Sequence, residues 1–147
     1  MNKKKIYIIN GPNLNLLGKR EPWVYGSKKI EELNRMILEK SKEYMFDVEV
    51  FQSNIEGEII NFIHTALEKE IDYIIINPAA YTHYSIAIRD AIAAVKIPTI
   101  EVHLSNIHNR EEFREKSVIA PVSIGQITGF SYYSYLMALD YIKMLGD

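Results

Sequence analysis

What most constrains this chain is an alternation. Short isoleucine-rich runs are separated by stretches with helical periodicity. Residues 4–10, KKIYIIN, lack the polar alternation of a half-wet strand, so they read as a strand buried on both faces. From Lys28 to Met45 the spacing is helical, with Ile30, Leu33, Met36, Ile37 and Met45 close to one stripe. Residues 47–52, DVEVFQ, read as strand. Residues 56–70 return to helix through Ile59, Ile63, Ala66 and Leu67, with Ser53 and Glu56 spaced as a capping box. Strand follows at 72–77 (DYIIIN), helix at 83–95 and strand at 98–103 (PTIEVH). A polar loop leads to a short run, SVIAP (117–121), and the segment 131–145 closes as a helix with Tyr135, Leu136, Leu139 and Ile142 on one stripe. Counting that run, strand and helix alternate about five times. Parallel neighbours need right-handed crossovers, so this order predicts a parallel sheet with helices on both faces. Five strands in 147 residues point to an α/β, flavodoxin-like order 2-1-3-4-5 in one domain over 1–147.

Open α/β sheets bind ligands beyond the carboxyl ends of their strands. Asn10, Asn13, Asn15, Arg20, Glu21 and Tyr25 follow the first strand; Gln52, Ser53 and Asn54 follow the second. The third ends in Asn77 and leads to Tyr81, Thr82 and His83; the fourth carries Glu101 and His103 and leads to Ser105 and Asn106. One rim therefore gathers amides, an arginine, a tyrosine and two histidines.

The glycines of the first loop do not make a phosphate cradle. A Walker loop sets four residues between its glycines and follows them with Lys and Ser/Thr. Here six residues separate Gly11 from Gly18, and Arg20 follows Lys19. There is no G-x-G-x-x-G either, and asparagines stand where a phospho-receiver module clusters acids. The net charge of −2 gives no general pull toward nucleic acid or anionic lipid. The apolar run before Asn10 is too short for a signal sequence or a membrane span. Cysteine is absent, so no disulfide framework, thiolate nucleophile or Cys-based zinc site is available. These features lead us to expect a soluble, cytoplasmic chain.

Amides and hydroxyls suit a polyhydroxylated substrate, and arginine suits a carboxylate. Residues i and i+2 of a strand face the same side, so Glu101 is placed to orient His103 as a general acid. Tyr25 lies in a Gly/Pro-punctuated loop suited to act as a lid. A phenol with an ordinary pKa of about 10 serves as a base only if its phenolate is stabilised, which a neighbouring arginine does.

At these residues the sequence resembles the type II 3-dehydroquinate dehydratases. The matching segments are NGPNLNLLGKREPWVYG (10–26), QSNIEGEII (52–60), NPAAYTHYSIAIRDA (77–91), EVHLSNIHNREEFREKS (101–117) and APVSIGQITGFSYYSYLMAL (120–139). The resemblance implies a homododecamer of four trimers. It also implies reversible dehydration of 3-dehydroquinate to 3-dehydroshikimate through an enolate, without metal or cofactor. Carried over by motif position, Tyr25 is the base, Arg20 tunes or positions it, and Asn13 stabilises the enolate. His103 protonates the departing hydroxyl, with Glu101 holding its ring. Asn77, His83, Ser105 and Arg114 bind substrate, the Leu104–Ser105 backbone meets its carboxylate, and Asp90 reaches a neighbouring subunit's site. Tyr84 departs from the family's usual threonine, Ala79–Ala80 replaces a stretch that often contains glycine, and Trp23 stands in the lid.

Read without the resemblance, several of these residues have ordinary explanations. Arg114 belongs to the charge run REEFREK, Asp90 sits beside Arg89, and the tyrosines at 132, 133, 135 and 141 have the spacing of packing or interface groups. His64 and His108 carry no motif. A nucleotide- or flavin-binding module and an inactive relative acting as a scaffold are the competing readings.

Overall fold

The computed structural model describes residues 2–19, 23 and 29–146. Among the described residues the strands and α-helices follow in the order β1 (Lys5–Asn10), α1 (Ile30–Glu43), β2 (Asp47–Gln52), α2 (Glu56–Glu68), β3 (Tyr73–Asn77), α3 (Ile86–Val95), β4 (Thr99–His103), β5 (Gly125–Thr128) and α4 (Tyr133–Met144). The strands form one sheet in the order β2-β1-β3-β4-β5, and every pairing is parallel.

The pleat sorts the isoleucines. Ile6 and Ile8 of β1, Ile75 of β3 and Ile100 and Val102 of β4 pack with Leu33 and Ile37 of α1 and Tyr135, Leu139 and Ile142 of α4. Their neighbours Tyr7, Ile9, Ile74 and Ile76 pack on the other face against Ile59 and Ile63 of α2 and Ile88 and Ile92 of α3. Period-2 strands thus feed two separate cores, which is why β1 and β3 carry no charged or amide residue between their first and last positions. Each fully buried isoleucine contributes about 1.5–3 kcal/mol relative to exposure.

The fifth strand is not at 117–121. Pro121 lies within a 3₁₀ turn, Ala120–Val122, and has no N–H to give a ladder. The preceding residues are used otherwise: the Val118 N–H donates to the Thr82 carbonyl at 2.9 Å, and Ile119 is fully buried on the α2/α3 face. The strand forms instead at Gly125–Thr128, in register with Ile100–His103. The capping box is also not made. The Ser53 hydroxyl accepts from the Ile55 N–H at 3.0 Å, while the Glu56 carboxylate accepts from Ser85 at 2.6 Å. That same Ser85 oxygen accepts from the Ile88 N–H at 3.1 Å, so α3 begins at Ile86 and residues 79–83 wind as 3₁₀.

Candidate active site

The register brings the polar strand ends together. Asn10 of β1 pairs with Gln52 of β2 and Asn77 of β3, and His103 closes β4 opposite Thr128. Beyond them lies a cleft of about 120 Å³, lined among others by Asn13, Asn77, His83, His103, Ser105 and Arg114.

The floor of the cleft explains the glycine of the NGPN stretch. The Gly11 N–H donates to the Asn77 carbonyl at 2.8 Å, and a Cβ on Gly11 would sit 2.5 Å from the Pro78 carbonyl oxygen. Only glycine lets the β1 and β3 loops approach so closely. Asn13 follows in the left-handed region at φ 69°, a conformation asparagine tolerates better than most residues. Its N–H donates to Asn54 Oδ1 at 3.0 Å, and Gln52 Nε2 donates to the Gly11 carbonyl at 3.1 Å. The polar residues after β2 therefore brace the loop that presents Asn13 to the cleft.

On β4, Glu101 is wholly buried and His103 nearly so. Glu101 Oε2 lies 2.5 Å from His103 Nε2 and accepts from Gln126 Nε2 at 2.7 Å, while Oε1 accepts from the Ser117 hydroxyl at 2.7 Å. Burial alone would push this carboxyl up, but the hydrogen bonds from His103, Gln126 and Ser117 outweigh it and hold the group below its ordinary range. The carboxylate can only accept, so the proton of this hydrogen bond sits on His103 Nε2.

His83 is held in the complementary way. Its Nδ1 lies 2.8 Å from the Lys116 carbonyl, which can only accept, so the neutral ring carries its proton on Nδ1 and a lone pair on Nε2. Burial pushes its pKa down, and the charges of His103 and Arg114 push the same way, against the Lys116 contact. Arg114 donates through Nε to Glu111 at 3.0 Å, and its guanidinium lies over the Phe113 ring. Arg110 joins it on the cleft wall. The loop after β4 is pinned by Thr128, whose hydroxyl donates to the Ser105 carbonyl at 2.8 Å and accepts from the Ile107 N–H at 3.2 Å.

Of the residues singled out in the sequence, Asn13, Asn77, His83, His103, Leu104, Ser105 and Arg114 line this cleft, and Glu101 stands behind His103. Asp90 is exposed on α3 and does not line it. Tyr25 and Arg20 lie outside the described residues. Arg110, Gln126 and Ser117 were not picked out by the sequence. Gln126 gives no signal in the sequence because its strand is short and half-buried and lies a few residues beyond the run at 117–121, and Arg110 gives none because it opens a charge run that reads as a solvated loop.

An open parallel sheet whose strand ends hold a carboxylate-bound imidazole, amides and arginines defines an α/β acid–base enzyme acting on a small polar anion. The particular family follows from comparison. The model of the family described as Dehydroquinase class II matches residues 4–143. A 3-dehydroquinate dehydratase of Clostridium perfringens is 63% identical over 139 residues, 95% of each chain. One from Caldicellulosiruptor bescii is 61% identical over 144 residues, 98% of this chain and 99% of that one. The crystal structure of a type II dehydroquinase from Butyrivibrio crossotus superposes with a TM-score of 0.94 at 52% identity, covering 95% of this chain and 97% of the other. The chain belongs to the class II dehydroquinase family.

Proposed function

We propose that this chain dehydrates 3-dehydroquinate to 3-dehydroshikimate in the shikimate route to aromatic amino acids, with the cleft at the strand ends as its site. The observation that carries the assignment of roles is the buried Glu101–His103 pair, held by Gln126 and Ser117 and opening onto amides and arginines. Tyr25 removes the proton next to the ketone, with Arg20 stabilising its phenolate. Asn13 meets the developing enolate, and neutral amides suit that charge because they stabilise it without trapping a product carboxylate. His103 gives the Nδ1 proton to the departing hydroxyl, and the imidazolium that precedes the transfer is paired to Glu101. Asn77, His83, Ser105 and the Leu104–Ser105 backbone bind the ring hydroxyls and carboxylate, with Arg114 supplying positive charge. The chemistry requires no metal or cofactor.

Assembly as a homododecamer of four trimers belongs to the same reading, with Asp90 serving a neighbouring subunit's cleft. Two features support it. β5 is an edge strand, and Ile124, Phe130 and Tyr133 around it are exposed apolar groups, an arrangement proteins cover rather than leave to water. No described helix is long and apolar enough to cross a membrane, and the cysteine-free chain suits a reducing cytoplasm.

The test is direct. Enzyme dialysed against a chelator is mixed with 3-dehydroquinate, and the conjugated enone of the product is followed by its ultraviolet absorbance. Turnover that survives borohydride in the presence of substrate is expected, because no Schiff base forms. Tyr25→Phe should abolish turnover while substrate still binds. No absorbance change with the native chain would overturn the reaction, and a near-normal rate for Tyr25→Phe would move the base elsewhere.

A further inference from the structure

Under the cleft, Asn77 is tied into a buried polar chain whose other members, Tyr135 and Asn10, the reaction as described does not use. Asn77 Nδ2 donates to the Tyr135 hydroxyl at 2.9 Å, and that hydroxyl donates to Asn10 Oδ1 at 2.6 Å. Asn77 Oδ1 accepts from the Ala79 N–H at 3.2 Å. All three side chains are buried, and they come from β1, β3 and α4.

The direction of this chain is fixed by its one unambiguous donor. A backbone N–H can only donate, so the Ala79 N–H requires the carbonyl side of the Asn77 amide to face it. The amino side then faces Tyr135, whose hydroxyl accepts and passes its own proton to Asn10. Asn10 Nδ2 is left as a buried nitrogen with no hydrogen-bond partner among the described residues. Turning the amide would only exchange the unpartnered nitrogen for an unpartnered oxygen and take away the tyrosine's acceptor, so Oδ1 stays on Tyr135. The same relay holds Ala79, a cleft residue, at φ 54°, in the left-handed region that favours glycine. Burial pushes the Tyr135 phenol far above its ordinary range, so the relay keeps its proton at any working pH.

We propose that Tyr135 is a positioning residue for substrate, acting through Asn77. Its hydroxyl, together with the Ala79 N–H on the other side, locks the Asn77 amide, so that the second Nδ2 proton is the donor Asn77 offers to a substrate hydroxyl. This rests on the reading of Asn77 as a substrate-binding group. A hydrogen bond made equally in ground and transition states changes KM more than kcat, and that split identifies the role.

The experiment is a double-mutant cycle in kcat/KM with Tyr135→Phe and Asn77→Ala. Tyr135→Phe alone should raise KM by about tenfold with kcat nearly unchanged. In the Asn77→Ala background the same substitution should change kcat/KM by less than about twofold, because the group it acts through is gone. A purely structural tyrosine would instead give losses that multiply, which overturns the inference and leaves the Asn77 reading intact. An Asn77→Ala enzyme with normal KM overturns both. Should Tyr135→Phe fail to fold, Asn10→Leu removes the relay's acceptor and is read in the same cycle with the same two outcomes.

Discussion

At the scale of single residues, the cleft is organised by which nitrogen or oxygen is already committed. His103 has Nε2 committed to Glu101, and His83 has Nδ1 committed to the Lys116 carbonyl, so the two imidazoles present opposite ring nitrogens to a ligand. Burial favours a neutral His83 ring, although the Lys116 carbonyl pulls the other way. The His83 pKa is lowered from its ordinary 6.5, which has a signed consequence for stability. Above that value both folded and unfolded chains carry a neutral ring. As pH falls through it, the unfolded chain binds the proton first, so folded stability declines. Between about pH 8 and about pH 5.5 the native protein should therefore lose more thermal stability than His83→Gln does. Equal losses in the two proteins would place the acid sensitivity elsewhere.

At the scale of elements, the sequence was legible wherever a strand is buried on both faces. β1 and β3 announce themselves because nothing but isoleucine and tyrosine fits between two helical layers, and each ends in asparagine where the sheet meets the cleft. β5 was illegible for the opposite reason. Its four residues include a glycine and a glutamine, it is a half-buried edge, and its identity comes only from pairing with β4. The start of α3 was blurred likewise, because the cap at Ser85 is visible only once Glu56 of α2 is beside it. Ser85 both caps α3 and ties it to α2, so Ser85→Ala should cost about 0.5–2 kcal/mol in denaturant unfolding. A loss below a few tenths of a kcal/mol would show that water replaces the cap.

At the scale of the whole molecule, the topology does the assembling. A 2-1-3-4-5 order sets the ends of β1, β3 and β4 side by side, and so residues from Asn13 to Arg114 converge although they are scattered along the chain. Much of this convergence could be read from the sequence, because ligands gather at strand ends in this architecture. What could not be read is the shell behind it: Gln126 and Ser117 on Glu101, and Tyr135 beneath Asn77. Those contacts depend on strand register, a loop and a helix that meet only once the chain is folded. The proposed dodecamer is checked by light scattering, where a particle of twelve chains is expected. A fully active monomer would remove any need for Asp90 from a neighbour. The central claim, that the Glu101-held imidazole is the acid at this cleft, is tested most directly by the kcat of His103→Ala, with substrate affinity measured separately. We expect kcat to fall by about 10²–10⁴-fold while affinity changes only a few-fold. A His103→Ala enzyme turning over 3-dehydroquinate near the native rate would contradict the account.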